Sequence, residues 1–242
     1  MENNKYILLW LEAPLQSWGS DSKFGRRDTL PFPTRSGVLG IVLCALGASG
    51  EQKELLARMG LPLRQTVISC ISAKETKQGV TKRERDPFLT DFQMVGSGYD
   101  DKDPWEKLHI PKTNDGKPAV GGGTKLTYRY YLQNAVFAVI METPSDLAES
   151  FAFALQNPVY DLYLGRKNCV PTEFIYQGTF DSEKDAESRV LSFMEDKNLI
   201  EDFRVLDGEQ SEGDMMMTLN DVPVQFGTVK KYRDRRVTVV RS

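Results

Sequence analysis

Aromatic and basic residues stand side by side at three places in this sequence, and such pairs suit the binding of RNA. Unpaired bases stack on aromatic rings or guanidinium groups, while lysine and arginine bind the phosphates. The three places join Trp18 to residues 23–27, Lys125 to residues 128–131, and Tyr160 and Tyr163 to Arg166 and Lys167. Each aromatic residue could equally belong to a hydrophobic core, and for Tyr130, Phe137 and Tyr160 we favour the core.

Residues 26–47, RRDTLPFPTRSGVLGIVLCALG, lead two arginines and two prolines into an apolar helix. Thr34 or Ser36 is suited to cap this helix, and Gly37 and Gly40 leave its first turns bare. Free N–H groups and the positive end of the helix dipole attract a phosphate. Three arginines would add positive charge there: Arg26, Arg27 and Arg35. The alternative is a capped core helix beside solvated arginines.

The charge of the chain is unevenly distributed along the sequence. Its net charge is -3, but residues 181–214 hold twelve acidic and four basic residues, which leaves 27 basic against 22 acidic residues elsewhere. The basic residues cluster at 23–27, 74–85, 107–129, 166–167 and 230–241. An acidic segment on an otherwise basic body is compatible with a polyanion site on one face.

Residues suited to catalysis are scarce. His109 is the only histidine, the three cysteines are far apart, and a zinc site is poorly supplied. The glycines before Lys125 do not form a phosphate loop, because counting from Gly116 the motif needs lysine where the chain has Gly122. We therefore expect no active site, no cofactor and no metal. With no apolar run of membrane length and no signal peptide at residues 1–5, we expect a cytoplasmic protein without membrane contact.

The hydrophobic pattern predicts an α+β fold with helices on one face of a sheet. Strands are expected at 6–11, 65–72, 129–141, 174–180 and 237–240, and helices at 36–47, 51–59 and 143–156, the last capped by Ser145 or Asp146. In the strand at 129–141, Tyr128 and Tyr130 would face one way and Arg129 and Tyr131 the other, so at most one pair faces a nucleic acid. The order strand, helix, strand, strand, helix, strand is that of a ferredoxin-like unit.

Residues 96–128 interrupt this order, since they are rich in glycine, lysine and aspartate. We interpret them as a projecting hairpin or loop with its tip at 114–116, and a disordered surface insertion is the alternative. The whole chain, residues 1–242, is then a single domain with an insertion at about 96–128 and a small β extension at about 181–242.

Four segments together resemble the CasD-type subunit of type I-E Cascade, the CRISPR surveillance complex. They are LWLEAPLQSWG (9–19), PFPTRSGVLGIVLCALG (31–47), TYRYYLQNAVFAV (127–139) and NPVYDLYLGRKNCVPT (157–172), and the basic KKYRDRRV (230–237) agrees with them. The resemblance implies a RAMP-type, RRM-like ferredoxin core with an inserted β-hairpin thumb. It also implies a non-catalytic role, holding the 5′ handle of CRISPR RNA at one end of the complex.

The same resemblance and the basic–aromatic clusters supply the candidate site residues. The predicted RNA-binding residues are Gln16, Trp18, Arg26, Arg27, Thr34, Arg35, Ser36, Lys125, Tyr128, Arg129, Arg166 and Lys167. In the thumb, Lys112 and Lys117 are predicted to meet a partner subunit. Arginine would pair with phosphates or stack on bases, Thr34 and Ser36 would bond phosphates or cap the helix, and Trp18 would contact RNA or belong to the core.

The partners implied by the resemblance are the 5′ handle of CRISPR RNA, the backbone subunit CasC and the large subunit CasA. Target DNA would be met only through the assembled complex. Two alternatives stay open. Some type I-C relatives cut precursor RNA themselves, whereas in type I-E a separate subunit, CasE, does so; a metal-independent endoribonuclease is therefore one alternative. The other is a structural adaptor whose basic clusters meet only protein.

Overall fold

The computed structural model describes residues 4–19, 22, 25–77, 79–95, 102, 104–105, 112–117, 125–211 and 213–242. The strands are β1 (Lys5–Gln16), β2 (Arg26–Arg27), β3 (Gln65–Thr76), β4 (Gly79–Lys82), β5 (Leu89–Val95), β6 (Lys125–Thr143), β7 (Tyr176–Phe180), β8 (Leu199–Asp207), β9 (Met215–Gln225) and β10 (Lys231–Arg241). The helices are α1 (Arg35–Ala45), α2 (Lys53–Arg58), α3 (Ser145–Gln156) and α4 (Glu183–Asp196).

One large sheet organises the molecule, with seven strands in the order β7-β1-β6-β3-β8-β10-β9. Every neighbouring pair along this path is antiparallel. The connection from β1 to β3 passes through α1 and α2, and the connection from β6 to β7 passes through α3. The short strands β2 and β5 pair with the first part of β6, and β4 pairs with the end of β3.

The central strands are apolar on both faces. Along β1, Ile7, Leu9 and Leu11 belong to the larger core cluster, while Leu8 and Trp10 point into a second cluster on the other face. An unbroken apolar run without alternation is expected of a strand that is covered on both sides. Burial of both faces therefore explains the sequence YILLWL.

The helices lie on both faces of the sheet, so the prediction of helices on one face is wrong. Residues of α1 and α3 pack in the larger cluster, whereas Ala186, Val190 and Met194 of α4 pack in the second. These three residues follow the four-residue spacing of one helix face. The Trp10 ring also stacks on Phe193 of α4, with ring centroids 5.2 Å apart. The prediction missed this helix because the acidic residues of its outer face dominate the local composition.

The predicted strands and helices are present, and most of the strands are longer than expected. Helix α3 begins differently from the prediction, because its N-cap residue is Pro144, which makes no side-chain capping hydrogen bond. Ser145 and Asp146, the two predicted caps, lie inside the helix, and Asp146 accepts hydrogen bonds from Arg58. The segment after residue 181 continues the main sheet through β8, which pairs with β3, and through β10 and β9 beyond it.

The predicted insertion lies mostly outside the described residues. Its base is a ladder between β5 and β6, running from Leu89 opposite Tyr131 to Val95 opposite Lys125. Residues 114–116, the predicted tip, form a turn in which the N–H of Gly116 donates to the carbonyl of Thr113 and Gly116 has a positive φ of 75°. The chain on either side of this turn lies outside the described residues, so the hairpin itself stays a prediction. No helix in the described part of the chain is long and apolar enough to cross a membrane.

Candidate nucleic-acid interface

A cleft of about 740 Å³ lies along one face of α1, and four segments distant in sequence form its walls. They are the loop after β1, the exposed face of α1, the loop after α3, and the turn between β9 and β10. The lining includes Arg27, Gly40, Cys44, Arg166, Lys230 and Tyr232.

Part of the cleft floor is the backbone of α1, left uncovered by glycine. A methyl group placed on Gly40 would meet nothing within 4 Å, so the space above it is open. A methyl group on Gly37 would lie 2.9 Å from Cε3 of Trp18, because that ring packs directly beneath the first turn of α1. Gly40 therefore keeps the cleft wide, whereas Gly37 lets Trp18 approach the helix.

Gln16 and Trp18 are buried and build the floor rather than contact the opening. The indole Nε1 of Trp18 donates to Oε1 of Gln16 at 3.1 Å. Gln16 in turn donates from Nε2 to the carbonyl oxygens of Leu11 and Ala135, at 3.0 and 2.6 Å. With 0% and 1% of Gln16 and Trp18 exposed, direct RNA contact by these two side chains does not fit their positions.

The N-terminus of α1 is already occupied by the protein's own oxygens. Thr34, the N-cap, accepts at its Oγ1 from the N–H of Gly37 at 3.1 Å. The carboxylate of Asp221, from β9, accepts from the N–H of Arg35 at 2.8 Å. The prediction that a phosphate binds these N–H groups is therefore not supported. Thr34 caps the helix, which was the other role predicted for it. Ser36 lines the cleft beside it.

Arg35 is an internal residue, with 2% of its surface exposed. Its guanidinium contacts Asp207 at 3.2 Å and the carbonyl of Met59 at 2.9 Å. Arg235 joins the same group through a two-pronged bond to Asp221, at 2.7 and 2.8 Å, and through Asp207. We call Arg35, Arg235, Asp207 and Asp221 the buried quartet. Its two cations and two carboxylates neutralise each other. Because Arg35 is buried within this group, its guanidinium is not accessible to a phosphate of bound RNA.

Burial and ion pairing act in opposite directions on these two guanidinium groups. Burial lowers the pKa of Arg35, and the negative charge of Asp207 opposes that change. Burial also acts on Arg235, but its hydrogen bonds and charge contacts with Asp221 and Asp207 outweigh it and raise the pKa. Both groups remain protonated, since arginine titrates far above neutral pH.

Arg166 reaches the cleft through a loop that only glycine allows. Gly165 has a φ of 105°, and a methyl group there would lie 1.7 Å from the carbonyl oxygen of Ser17. The next residue, Arg166, donates to the carbonyls of Tyr130 at 3.2 Å and Arg27 at 2.9 Å. Its guanidinium also lies 4.6 Å from the centre of the Tyr131 ring. These partners orient the cation but carry no negative charge, and Arg166 forms no ion pair with any carboxylate in the described part of the chain.

Three further predicted residues lie beside Arg166 on β2 and β6. Arg26 pairs with Asp28 at 2.9 and 3.0 Å and lies 4.8 Å from the centre of the Tyr130 ring. Its pKa is raised by the hydrogen bond and charge of Asp28. Arg27 is exposed, and Arg129 is half-buried in the neighbouring strand. Lys167 is exposed next to Arg166.

The predictions for the tyrosines are partly wrong. Phe137 is confirmed as a core residue, with 0% exposed, but the tyrosine in the core of that strand is Tyr131, with 1% exposed. Tyr130 is half-buried under Arg26. Tyr160 is 57% exposed and lines the cleft with Tyr163, so it is not a core residue.

The exposed face of the β5–β6 ladder carries a row of large apolar side chains. Phe92 stands opposite Tyr128 and Met94 stands opposite Leu126. The rings of Phe92 and Tyr128 lie 5.1 Å apart, and all four side chains are between 45% and 63% exposed. Tyr128 thus belongs to an apolar surface outside the cleft.

Some predicted residues cannot be placed in the site. The side chain of Lys125 lies outside the described residues, and so do His109 and most of the insertion. Lys112 and Lys117 are exposed at either end of the turn around Gly116. In the parts of the chain that the structure describes, no group of three or more His, Cys, Asp or Glu residues is arranged to hold a metal ion.

The sequence analysis missed the cleft residues of the β9–β10 turn. Phe226, Lys230 and Tyr232 line the cleft. The basic segment 230–237 was recognised in the sequence, but composition does not show that Lys230 lines the cleft while Arg235 is buried in the quartet. The folded sheet places the two residues in these different environments.

The charges around the cleft favour an anionic ligand. Its lining holds three cations, Arg27, Arg166 and Lys230, and one carboxylate, Asp28, which is paired with Arg26. Aromatic rings lie among the cations, from Tyr160 and Tyr163 on one side and from Phe226 and Tyr232 on the other. Cations beside rings suit a ligand that carries phosphates and flat bases.

Comparisons with known proteins agree on one family. The chain is 28% identical over 193 residues to the "CRISPR system Cascade subunit CasD" of Escherichia coli (strain K12), covering 78% of this chain and 76% of that protein. A chain in a solved "CRISPR RNA-guided surveillance complex" is 29% identical, with a TM-score of 0.67 over 98% of this chain and 90% of the other. A solved "Cas protein" at 22% identity, TM-score 0.51 and coverage of 98% and 93%, shares the fold. A family model described as "CRISPR-associated protein (Cas_Cas5)" matches residues 6–238, and this chain therefore belongs to the Cas5 family of CRISPR-associated proteins.

Proposed function

We propose that this chain is a non-catalytic, RNA-binding subunit of a cytoplasmic, Cascade-type CRISPR surveillance complex, and that its cleft holds the 5′ handle of CRISPR RNA. The single observation that carries the proposal is the cleft itself, where cations that form no ion pair with any described residue lie among aromatic rings. The 28% identity to a Cascade subunit supports the assignment to such a complex, and type I-E is the branch that we propose.

The fold proposed for the binding unit is ferredoxin-like, or RAMP-type. Four strands of the sheet stand in the order β7-β1-β6-β3, all antiparallel, and helices connect β1 to β3 and β6 to β7. This order and these connections are what a strand-helix-strand-strand-helix-strand unit requires. In this unit the cleft lies against the first helix.

The site residues divide into two roles. Arg27, Arg166 and Lys230 bind phosphates, because each lines the cleft and lacks an ion pair among the described residues. Gln16, Trp18, Thr34 and Arg35 position the floor and the start of α1, because all four are buried. Substitutions in the second group would weaken RNA binding indirectly, by changing the shape of the cleft.

The apolar row on the β5–β6 ladder supports a protein contact. Phe92, Met94, Leu126 and Tyr128 form a continuous exposed surface at the base of the insertion. Exposed apolar surfaces of this kind mark interaction sites. We assign it to the adjacent backbone subunit, CasC, and we place the large subunit, CasA, at the same end of the complex.

The proposal is tested with labelled CRISPR repeat RNA and its 5′ handle fragment in EDTA, following binding and cleavage together. We expect binding without cleavage, an affinity that falls steeply with salt, and a loss of about tenfold, or 1.4 kcal/mol, for Arg166→Ala. Arg189→Ala is the matched control. Its guanidinium also lies over a ring, 4.2 Å from the centre of Phe193, but on the helix that covers the opposite face of the sheet.

Other results would select the alternatives. Specific cutting of the repeat RNA in EDTA would make the chain a processing endoribonuclease, with Lys230 and the cleft tyrosines as candidates for its acid–base groups. Equal loss of binding in the Arg166 and Arg189 variants would remove the cleft from the binding site. No binding, even with the backbone subunit present, would favour the adaptor role.

A further inference from the structure

The turn between β9 and β10, residues 226–230, forms one wall of the cleft together with the start of β10. We propose that this wall recognises a base: one unstacked nucleobase of the RNA lies against Tyr232, and the adjoining phosphate binds Lys230. The inference rests on the proposed RNA binding and extends it from the phosphate backbone to a base.

The wall is held firmly against the segment that follows α1. The N–H of Phe226 donates to the carbonyl of Glu51 at 3.0 Å. The side chain of Gln225 donates to Oε1 of Glu51 at 3.0 Å and to the carbonyl of Val229 at 2.9 Å. Gly227, with a φ of 80°, lets the backbones approach so closely that an added methyl group would lie 3.3 Å from Gly50. A wall fixed in this way is preorganised, so little ordering opposes binding.

Tyr232 has the properties of a base-stacking residue. Its ring packs edge-on against Phe226, with centroids 6.5 Å apart, and this contact fixes the ring while leaving it half-exposed in the cleft. Burial raises the pKa of the Tyr232 hydroxyl, so the group stays neutral and can donate a hydrogen bond to a base edge.

Lys230 supplies a positive charge that can bind the phosphate next to the stacked base. It is exposed, it lines the cleft, and it forms no ion pair with any residue that the structure describes. Lys231, the next residue, is equally exposed but does not line the cleft. The two lysines are therefore a matched pair for an experiment.

The floor of the cleft leaves room for a base. The exposed face of α1 carries Gly40, above which the space is open, and Gly40 lines the same cleft as Tyr232 and Lys230. An aromatic ring, open space and a cation in one cleft fit a nucleotide, which brings a flat base and a phosphate together.

The test uses the full chain and a set of 5′ handle RNAs in which one nucleotide at a time is abasic. We expect one abasic position to weaken binding to the wild-type chain by about 5-fold to 100-fold. In Tyr232→Leu the intact RNA should bind as weakly as that abasic RNA, and the abasic change should then cost nothing more. Tyr232→Phe should behave like the wild type in stacking, and the unfolding temperature of each variant verifies the fold.

The lysine pair gives an independent readout. Lys230→Ala should make the slope of log affinity against log salt shallower by about 0.7, the value for one phosphate contact on a single strand, and Lys231→Ala should leave it unchanged. The inference is overturned if every abasic change costs the same in the wild type and in Tyr232→Leu, or if the two lysine variants have equal slopes. If these results are not obtained but Arg166→Ala still weakens RNA binding, only the proposed recognition of a base by Tyr232 is overturned. If the wild-type chain binds no handle RNA, the proposed function is overturned as well.

Discussion

Two groups of arginines near the start of α1 have opposite environments. Arg35 and Arg235 are buried with Asp207 and Asp221, which neutralise them. Arg27 and Arg166 line the cleft, and Arg166 is oriented by carbonyl oxygens and a ring that leave its charge intact. An arginine beside a helix start is therefore not in itself a phosphate ligand; its role depends on whether a carboxylate from elsewhere in the fold reaches it.

The largest expected effect is on the buried quartet. Asp221→Asn keeps the size of the side chain but leaves the quartet with one uncompensated positive charge. Removing one partner of a buried ion pair costs about 3–5 kcal/mol, so we expect the free energy of unfolding in urea to fall by that amount. Arg27→Ala, in the cleft, should change it by less than about 0.5 kcal/mol. Equal losses in both variants would abolish the distinction between the two arginine groups.

Substitutions at Gly37 and Gly40, the two glycines of the cleft floor, should change the free energy of unfolding by less than Asp221→Asn does. Gly40→Ala should raise the free energy of unfolding by about 0.5–1 kcal/mol, because alanine is the better helix former and meets no neighbour. Gly37→Ala should lower it by about 1–3 kcal/mol through overlap with Trp18.

The larger Gly40→Leu should fill the cleft and weaken binding of the handle RNA about tenfold, or 1.4 kcal/mol. Thermal unfolding and RNA titration of the same three variants check both parts. Undiminished RNA binding by Gly40→Leu would show that the RNA does not lie over α1.

Cysteine alkylation distinguishes the cleft from the core without changing the sequence. Cys44 is half-buried in the cleft wall, and burial, followed by the charge of Asp161, raises its pKa. Burial raises the pKa of Cys70 to about 12 and also raises that of Cys169. Because the thiolate is the reactive form, Cys44 should react first, more slowly than a free thiol and faster as the pH rises.

Handle RNA should slow the alkylation of Cys44 severalfold, as measured by mass spectrometry of the modified peptides, while Cys70 and Cys169 should react only on unfolding. A rate at Cys44 that is the same with and without bound RNA would contradict the occupied cleft.

The smallest effect is expected at an exposed ion pair. The hydrogen bond from Arg58 lowers the pKa of Asp146. A carboxylate with a lowered pKa stabilises the fold above its ordinary pKa, and this contribution is lost as the pH falls through the folded value. Asp146→Asn should thus leave stability unchanged at low pH and lower it only slightly at neutral pH. A pH series of urea unfolding curves checks this, and a loss as large as that of Asp221→Asn would refute the ranking by burial.

Local sequence determined the elements and part of the site. The apolar run of β1 and the cap and glycines of α1 were predictable, because hydrophobic periodicity and helix capping act over a few residues. Basic residues beside aromatic residues, together with the family resemblance, placed Arg166 and Arg27 among the candidates. It missed α4, whose three inward residues are hidden among acidic neighbours.

Tertiary structure alone decided which charges are available. Arg35 is 172 residues from Asp207 and 186 residues from Asp221, and pairing among β8, β9 and β10 brings both carboxylates to it. In the same way the sheet separates Lys230, at the cleft, from Arg235, in the interior. The sequence by itself determined where positive charge is placed along the chain, but neutralisation is a contact between distant residues, and only the folded sheet brings those residues together.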